Sequence, residues 1–524
     1  MSSVVEGAAI SAAPSAPRDW AKSFGRLWKL DLTVMAIVVI LFGAVRPLGD
    51  PDLPMHLAIG EWIVRHRAVP FVEPFAWTAE GQPYFAYSWL PQSTYFLVFS
   101  EFGSWGLRAL QGVLVLATAC SALVLARAEG WRPSIAIMLG AFNLIVGNFF
   151  VAMLRPQAVL LITMPLLWAL FVHVARGRAD WRHVAGIFLA TALTANSHLF
   201  FPVTLAPAVL LWVHRRLRER LSIAAILAVL AGWMASPYSP HWVSVYRFNF
   251  GRHALMAYPS PVSELQPGFA WMLQPPVGPL PLLVALMLVV PWLLDGSSVA
   301  GRKRIFAATY WMLGVVLFGY AVRLFVIWWV LAILPFAWAL HRIASASEDA
   351  PPRLRFRVFG LVACLMIIAA ALSRTRDQRA LEGSVTERSL PTVGARPAES
   401  VAQWLLANTE PEAKGRIMTS MAFGSYLTWR LPGYSASIDS RGLQPDSVTA
   451  AEAVVSAAAR DYPIGPLSSA DLAILPVRFR AGAALDSASG WRRVRTVPGY
   501  PVKADSAGLW VRAEWWARNA RRGS

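Results

Sequence analysis

Two cysteines in 524 residues, Cys120 and Cys364, both inside apolar runs, exclude a disulfide framework and a cysteine metal site. Charge is scarce as well: Asp, Glu, Lys and Arg make up 15% of the chain against 56% hydrophobic residues, and the mean hydropathy is positive. A soluble domain of this length cannot bury that much apolar sequence, which leaves a multi-span membrane protein. Acidic residues are the scarcer sign, 30 against 48 Lys and Arg, for a formal net charge of +18. The basic residues sit in short clusters between apolar runs, as cytoplasmic loops do, so a nucleic-acid role is rejected. No clear internal repeat or mid-span ionisable residue is evident, which weighs against a flippase or transporter of lipid-linked substrate.

What is abundant is apolar run. Residues 1–30 read as a disordered cytoplasmic tail, with Arg18, Lys22, Arg26 and Lys29 leading into a retained anchor over 32–48. Further spans are expected at 106–127, 133–152, 157–175, 184–201, 203–214, 221–236, 278–294, 305–321, 324–340 and 358–373, about eleven in all. Pro202 and Pro207 interrupt the 184–214 stretch, which reads either as two short helices or as one broken one. With the N-terminus inside, the clusters at Arg127/Arg132, Arg176–Arg182, Arg215–Arg220, Arg302–Arg304 and Arg342–Arg357 all fall inside. Twenty-four tryptophans suit the aromatic belts at both interfaces. The expected fold class is mainly α: a polytopic membrane domain over 31–373 with a first outer loop over 49–105, and a soluble outer α/β domain over 374–524.

The first outer loop opens with GDPDLPMHLAIGEW, residues 49–62. As a short helix it puts Asp52 and His56 on one face, and Pro51 fixes the backbone between Asp50 and Asp52, so that two carboxylates converge as a base or a cation site. Equally, Asp52 can simply cap a surface helix and Asp50 can be a turn residue. Extended segments follow around Glu73 and Pro83, then an in-plane helix from Ser88, which is placed to cap it. Against the charge rule, Arg155, His198, Arg247, Arg252 and Arg323 lie near the outer ends of spans. A boundary cation needs an acid or an anionic ligand; each can also snorkel or pair structurally, and a lone His198 is more often a packing residue. In the outer domain, Pro397 opens a helix, GRIMTS, SASIDS, DLAILP and AGLWVR read as strands, and SVTAAEAVVSAAAR reads as a helix between them. Asp439 and Arg441 are read as a turn-closing salt bridge in preference to an acceptor contact.

The stretch DPDLPMHLAIGEWIVRHRAVPFVEPFAWTAEGQPYFAYSWLPQ, Asp50 to Gln92, resembles the first periplasmic loop of bacterial membrane glycosyltransferases of the GT-C superfamily: an aspartate pair, a histidine and a glycine, then a vP..DpfS pattern. Arg155-Pro156-Gln157, Ser197-His198, Arg323 and GSYLTWRLPGYSASIDSRG (424–442) are similar to that group too. Glu73 and Ala76 stand where the pattern has Asp and Ser. In the related aminoarabinose and mannosyl transferases an acid of this loop is catalytic and the donor is a sugar on a polyprenyl phosphate, so the resemblance implies that role for Asp50 or Asp52. It also implies a multi-pass protein of the bacterial inner membrane with its outer domain in the periplasm, acting on a glycan, lipid or protein acceptor. On this reading Asp52 is the base, Asp50 orients it or helps to hold a divalent ion such as Mg²⁺ or Mn²⁺, and Arg155, Arg323 and Arg247 hold the phosphate. His56, His198 and Glu73 complete the substrate-binding set. A non-catalytic subunit of a polysaccharide assembly machine would keep such a fold and lose the acids, so the presence of both aspartates argues against it.

Overall fold

The computed structural model describes residues 50, 52–133, 135–137, 139, 140, 143, 144, 154–250, 301–321, 324–346, 396–439, 441, 469–477, 480–497 and 506–521. The expected spans at 32–48, 278–294 and 358–373, the helix over 447–460, and Arg252 and Arg323 lie outside them.

The first described element, α1 (Leu53–His66), begins with Pro54, whose fixed φ suits a first turn, and ends at Arg67 in the left-handed region (φ 52°). Leu53, Leu57 and Ala58 face one buried cluster, Met55, Ile59 and Ile63 another, so the helix is wedged rather than laid on a surface. Next comes α2 (Trp89–Ala128), which joins the expected in-plane helix to the span after it. The join is broken at Gly103, whose backbone (φ 60°, ψ −153°) is one that glycine alone adopts readily. The expected Ser88 cap does not form. Asn196 does that work from another turn: its carbonyl accepts from the Leu90 N–H at 3.3 Å and its side-chain oxygen from the Trp89 indole at 2.7 Å.

Then come α3 (Ala158–Ala175), α4 (Trp181–Ala195), a 3₁₀ stretch over Phe201–Ala208 leading into α5 (Val209–Val213), α6 (Arg220–Met234), α7 (Trp242–Phe250), α8 (Gly301–Tyr320) and α9 (Phe325–Ala346). The region around Pro202 and Pro207 is thus two elements, and the prolines keep the second from becoming a regular helix. Among the described residues, α2 and α3 are long and apolar enough to cross a membrane, and α6 with the following Ser239–Asn249 helix would make a third if that pair, bent by 87°, is one span. Leu160, Leu161, Met164, Trp168, Phe171, Val229, Phe306 and Val330 form the common core of these helices. Their outer faces expose Phe102, Trp105, Val113, Leu189, Leu227, Met234 and Val316, an apolar exterior. The basic loops meet at one end: Arg176 pairs with Glu129 and donates to the Ala128 carbonyl (3.2 Å), and Arg302 donates to that of Trp212 (3.2 Å).

A five-stranded sheet follows α10 (Arg396–Asn408): β1 (Gly415–Thr419), β2 (Tyr434–Ala436), β3 (Leu472–Pro476), β4 (Trp491–Val497) and β5 (Ala507–Arg512), in the order β2-β1-β3-β5-β4. Strand β1 runs parallel to both β2 and β3, while β5 is antiparallel to β3 and β4. Helices α11 (Met421–Arg430), α12 (Arg480–Ser487) and α13 (Ala513–Asn519) accompany it. Of the expected strands, SASIDS pairs only at its start; the last backbone bond to β1 runs from the Ser437 N–H to the Ile417 carbonyl (2.8 Å).

The sheet is tied to the first loop. Ala76 bridges Ala436, Ser435 donates to the Phe75 carbonyl (2.5 Å), Thr78 donates to the Ser437 carbonyl, and the Trp77 indole donates to that of Ile417 (3.2 Å). Trp429 of α11, 2% exposed, lies in one buried cluster with Leu53 and Leu57 of α1, Phe99 of α2 and Leu154.

Candidate active site

Asp50 immediately precedes α1, and Asp52 is the residue at its N-cap position. The Asp52 carboxylate makes no capping bond, which removes the reading of Asp52 as a mere cap. Its N–H instead donates to Asp50 Oδ1 at 3.0 Å, which fixes the two acids relative to each other. Arg155 reaches them from 105 residues away. The turn that carries it contains Leu154 at φ 53°, a left-handed conformation that costs a non-glycine residue about 1–2 kcal/mol. Leu154 is fully buried with Leu53, Leu57 and Trp429, so packing holds that turn and aims the arginine.

Arg155 Nε lies 3.0 Å from Asp50 Oδ2, and Nη2 lies 3.5 Å from Asp50 Oδ1 and 3.3 Å from Asp52 Oδ2. One guanidinium thus serves two carboxylates, and with all three ionised the cluster carries one net negative charge. Its members differ in exposure: the side chains of Asp50 and Arg155 are 0% and 8% exposed, that of Asp52 29%. Burial pushes the Asp50 carboxyl up to about 7; Arg155 opposes this and the Asp52 charge adds to it. Asp52 is the member open to solvent.

His56, one turn into α1, accepts at Nδ1 from the Gln92 amide at 3.1 Å. Burial lowers its imidazole to about 4, against the pull of Asp52, so it is neutral at physiological pH and its Nε2 carries the proton. Gly60 lets α2 come this close: a Cβ there would stand 2.1 Å from the Gln92 carbonyl oxygen.

Glu73, His198 and Arg247 each have surroundings of their own. Glu73 accepts from the Phe75 and Ala76 N–H groups (both 2.9 Å) and is gripped by Arg441, whose Nη2 and Nη1 sit 2.6 and 2.7 Å from its two oxygens. Arg441 also holds Asp439 at 2.6 and 2.9 Å and lies over the Tyr84 ring at 4.7 Å. Glu73 is therefore committed to a buried clamp between the first loop and the sheet, and is not gathered with Asp50 and Asp52. His198 is 3% exposed; its ring packs against Tyr87 and Phe200, and its Nδ1 accepts from the Phe200 N–H at 3.2 Å, which is a packing position. Arg247 is solvent-exposed on α7. Gln92 escaped sequence reasoning, as did Trp429; the former carries only the weak signal of standing in SWLPQ.

The donor set does not fit a divalent ion. Among the described residues no group of three His, Cys, Asp or Glu is placed to hold one, and Arg155 fills the space between the carboxylates that a cation would share. Where Asp50 and Asp52 were expected to share Mg²⁺ or Mn²⁺, a guanidinium pairs with both and offsets one of their two charges.

No protein-family model and no curated protein sequence matches the chain. Solved structures do. The chain is similar to arabinofuranosyltransferase AftD from Mycobacteria at 17% identity and a TM-score of 0.57, covering 93% of this chain and 42% of that one. It resembles ArnT from Cupriavidus metallidurans, bound to undecaprenyl phosphate, at 14% identity and a TM-score of 0.55, covering 93% of this chain and 98% of that one. A third is the oligosaccharyltransferase AglB from Archaeoglobus fulgidus, with an inhibitory peptide and a dolichol-phosphate: 11% identity, TM-score 0.50, 87% of this chain and 70% of that one. The fold is that of the GT-C glycosyltransferases. The chain spans less than half of AftD, and identities this low establish architecture alone.

Proposed function

We propose that this protein is a membrane glycosyltransferase that moves a sugar from a polyprenyl phosphate to an acceptor hydroxyl on the outer face of the bacterial inner membrane. The observation that carries the reading is the half-open cluster: a partly exposed carboxylate, Asp52, held by a buried Arg155–Asp50 pair beneath the first loop. The GT-C fold and the apolar exterior of the helices support it, as do the complexes of ArnT with undecaprenyl phosphate and of AglB with a dolichol-phosphate. The basic loops, gathered at the opposite end of the helices by sequence order, suit a cytoplasmic side, with the sheet domain then in the periplasm.

In this mechanism Asp52 accepts the proton of the acceptor hydroxyl while its oxygen attacks the anomeric carbon; the bond from that carbon to the phosphate oxygen breaks, and polyprenyl phosphate leaves. The attack comes from the side opposite the phosphate, so configuration inverts. Arg155 is a positioning residue here, because both acids already engage it. Phosphate binding then falls to Arg323 and Arg247. Asp50 fixes Asp52 through the 3.0 Å backbone bond.

The test is reconstitution in vesicles with undecaprenyl phosphate carrying a single hexose, pentose or aminosugar. A transferase releases undecaprenyl phosphate as the sugar appears on an acceptor, and mass spectrometry of envelope glycans from cells lacking the protein shows the missing residue. Movement of intact lipid phosphosugar between leaflets, with no change in covalent structure, would instead make this a transporter.

A further inference from the structure

Two glutamines that the reaction above does not use, one bonded to His56 and one just after Arg155 in the chain, each have a buried amide oxygen. Gln92, 4% exposed in the first turn of α2, spends its Nε2 on His56 Nδ1 at 3.1 Å. Its other end, Oε1, is buried with no hydrogen-bond partner. Gln157 ends the turn that presents Arg155, at the N-cap position of α3, and its Oε1 is likewise buried and unpartnered. A buried carbonyl oxygen without a donor is costly, and such exceptions call for an explanation.

The glutamine at position 92 cannot easily turn away. Its backbone oxygen is pressed against Gly60, where even a methyl group would clash at 2.1 Å. The neutral His56 ring takes the amide N–H, which orients the oxygen as the free end. An amide oxygen only accepts, so its partner must bring O–H or N–H groups. A phosphate diester brings none. A sugar ring brings several; Gln92 is bonded to His56, one turn from Asp52, and Gln157 stands two residues after Arg155.

We infer that Gln92 and Gln157 bind the hydroxyl groups of a glycosyl unit held beside Asp52. This rests on the transferase reading above and deepens it: the amide oxygens select for a polyhydroxylated group, while the phosphate is recognised elsewhere. Donor and acceptor sugars share that chemistry, and the experiment separates them.

The full-length protein in nanodiscs is titrated with undecaprenyl phosphate, and with undecaprenyl phosphate carrying glucose, galactose, mannose, N-acetylglucosamine or arabinose. The quantity read is the ratio of the two affinities within each variant, so that general damage cancels. Wild type is expected to prefer one phosphosugar over the bare lipid phosphate by about a hundredfold, two well-made buried polar contacts at about tenfold each. In Gln92→Met and in Gln157→Met, which keep side-chain length without an amide, that preference falls by about tenfold each. Methyl glycosides of the same sugars form the second arm: loss of their binding in place of the phosphosugar preference assigns the hydroxyls to the acceptor. Preference retained in both arms by both variants, or a wild type indifferent to every sugar, overturns the inference; loss in one variant alone overturns the other residue's assignment. A wild type that binds undecaprenyl phosphate in no form removes the donor reading itself, and this inference with it.

Discussion

Two clusters in this molecule have the same composition, two carboxylates and one arginine, and they are built for opposite ends. In the clamp of Glu73, Arg441 and Asp439, side-chain exposures are 5%, 8% and 0%, and the guanidinium makes four contacts of 2.6–2.9 Å with both acids. Burial works against the charge of Arg441, but Asp439 and Glu73 outweigh it and hold the guanidinium well above its usual range. In the cluster of Asp50, Arg155 and Asp52 the contacts are 3.0–3.5 Å and Asp52 is 29% exposed. A saturated set is a fastener. One with a partly exposed carboxylate can still exchange a proton with its surroundings.

The comparison is sharpened first where the largest loss is expected. Arg441→Ala leaves two buried acids without a cation and should cost about 3–5 kcal/mol of stability, read as a lowered denaturation midpoint. Arg441→Lys should recover only part of this, because a point charge cannot reproduce the fork. Arg155→Ala should cost less, about 1–3 kcal/mol, since Asp50 can relieve its burial by taking up a proton. That loss should be smaller at pH 6 than at pH 8. If Arg155→Ala and Arg441→Ala behave alike at both pH values, the contrast between the clusters is lost.

The pH response of Asp50 has a definite sign. Its carboxyl is raised from 3.8 to about 7 in the folded protein, so the folded state binds the proton more tightly. The stability this group contributes is full below pH 3.8, declines as the pH rises and is gone above about 7. Melting temperature compared between wild type and Asp50→Asn should therefore diverge through that window, wild type falling relative to the variant; parallel curves would show that Asp50 ionises as an ordinary carboxyl. The smallest effect belongs to a third acid–arginine pair, Glu80–Arg416, at 3.7 Å with side chains 78% and 48% exposed. Glu80→Ala should stay within about 0.5 kcal/mol of wild type in the same denaturation assay.

How far the chain could be read depended on how local each signal was. The spacing of Asp52 and His56, the proline that starts α1 and the strands at 415–419, 472–476 and 507–512 are local patterns, and they are present. Arg155 stands out as a cation at a span end, but Asp50 is 105 residues away, and no spacing rule connects them. Arg441 and Glu73 are 368 residues apart, so no spacing in the sequence joins Glu73 to the arginine that grips it. Strand β4, WRRVRTV, was not read as a strand because an arginine-rich edge strand shows no alternation of apolar and polar faces. Ser88 misled because a capping residue type was present, while the bonds came from Asn196 in another turn. Gln92 carries only the weak signal of standing in SWLPQ: its importance lies in one unpaired oxygen, visible only once α1 and α2 are packed at Gly60.

The most direct test of the account is the single-turnover rate of sugar transfer by Asp52→Asn, measured beside its melting temperature. Asparagine keeps the size and the surroundings of Asp52 but cannot take a proton, so transfer should fall by about 10²–10⁴-fold while the melting temperature stays near that of wild type. Transfer at the wild-type rate by a folded Asp52→Asn would show that the exposed carboxylate takes no part in the chemistry.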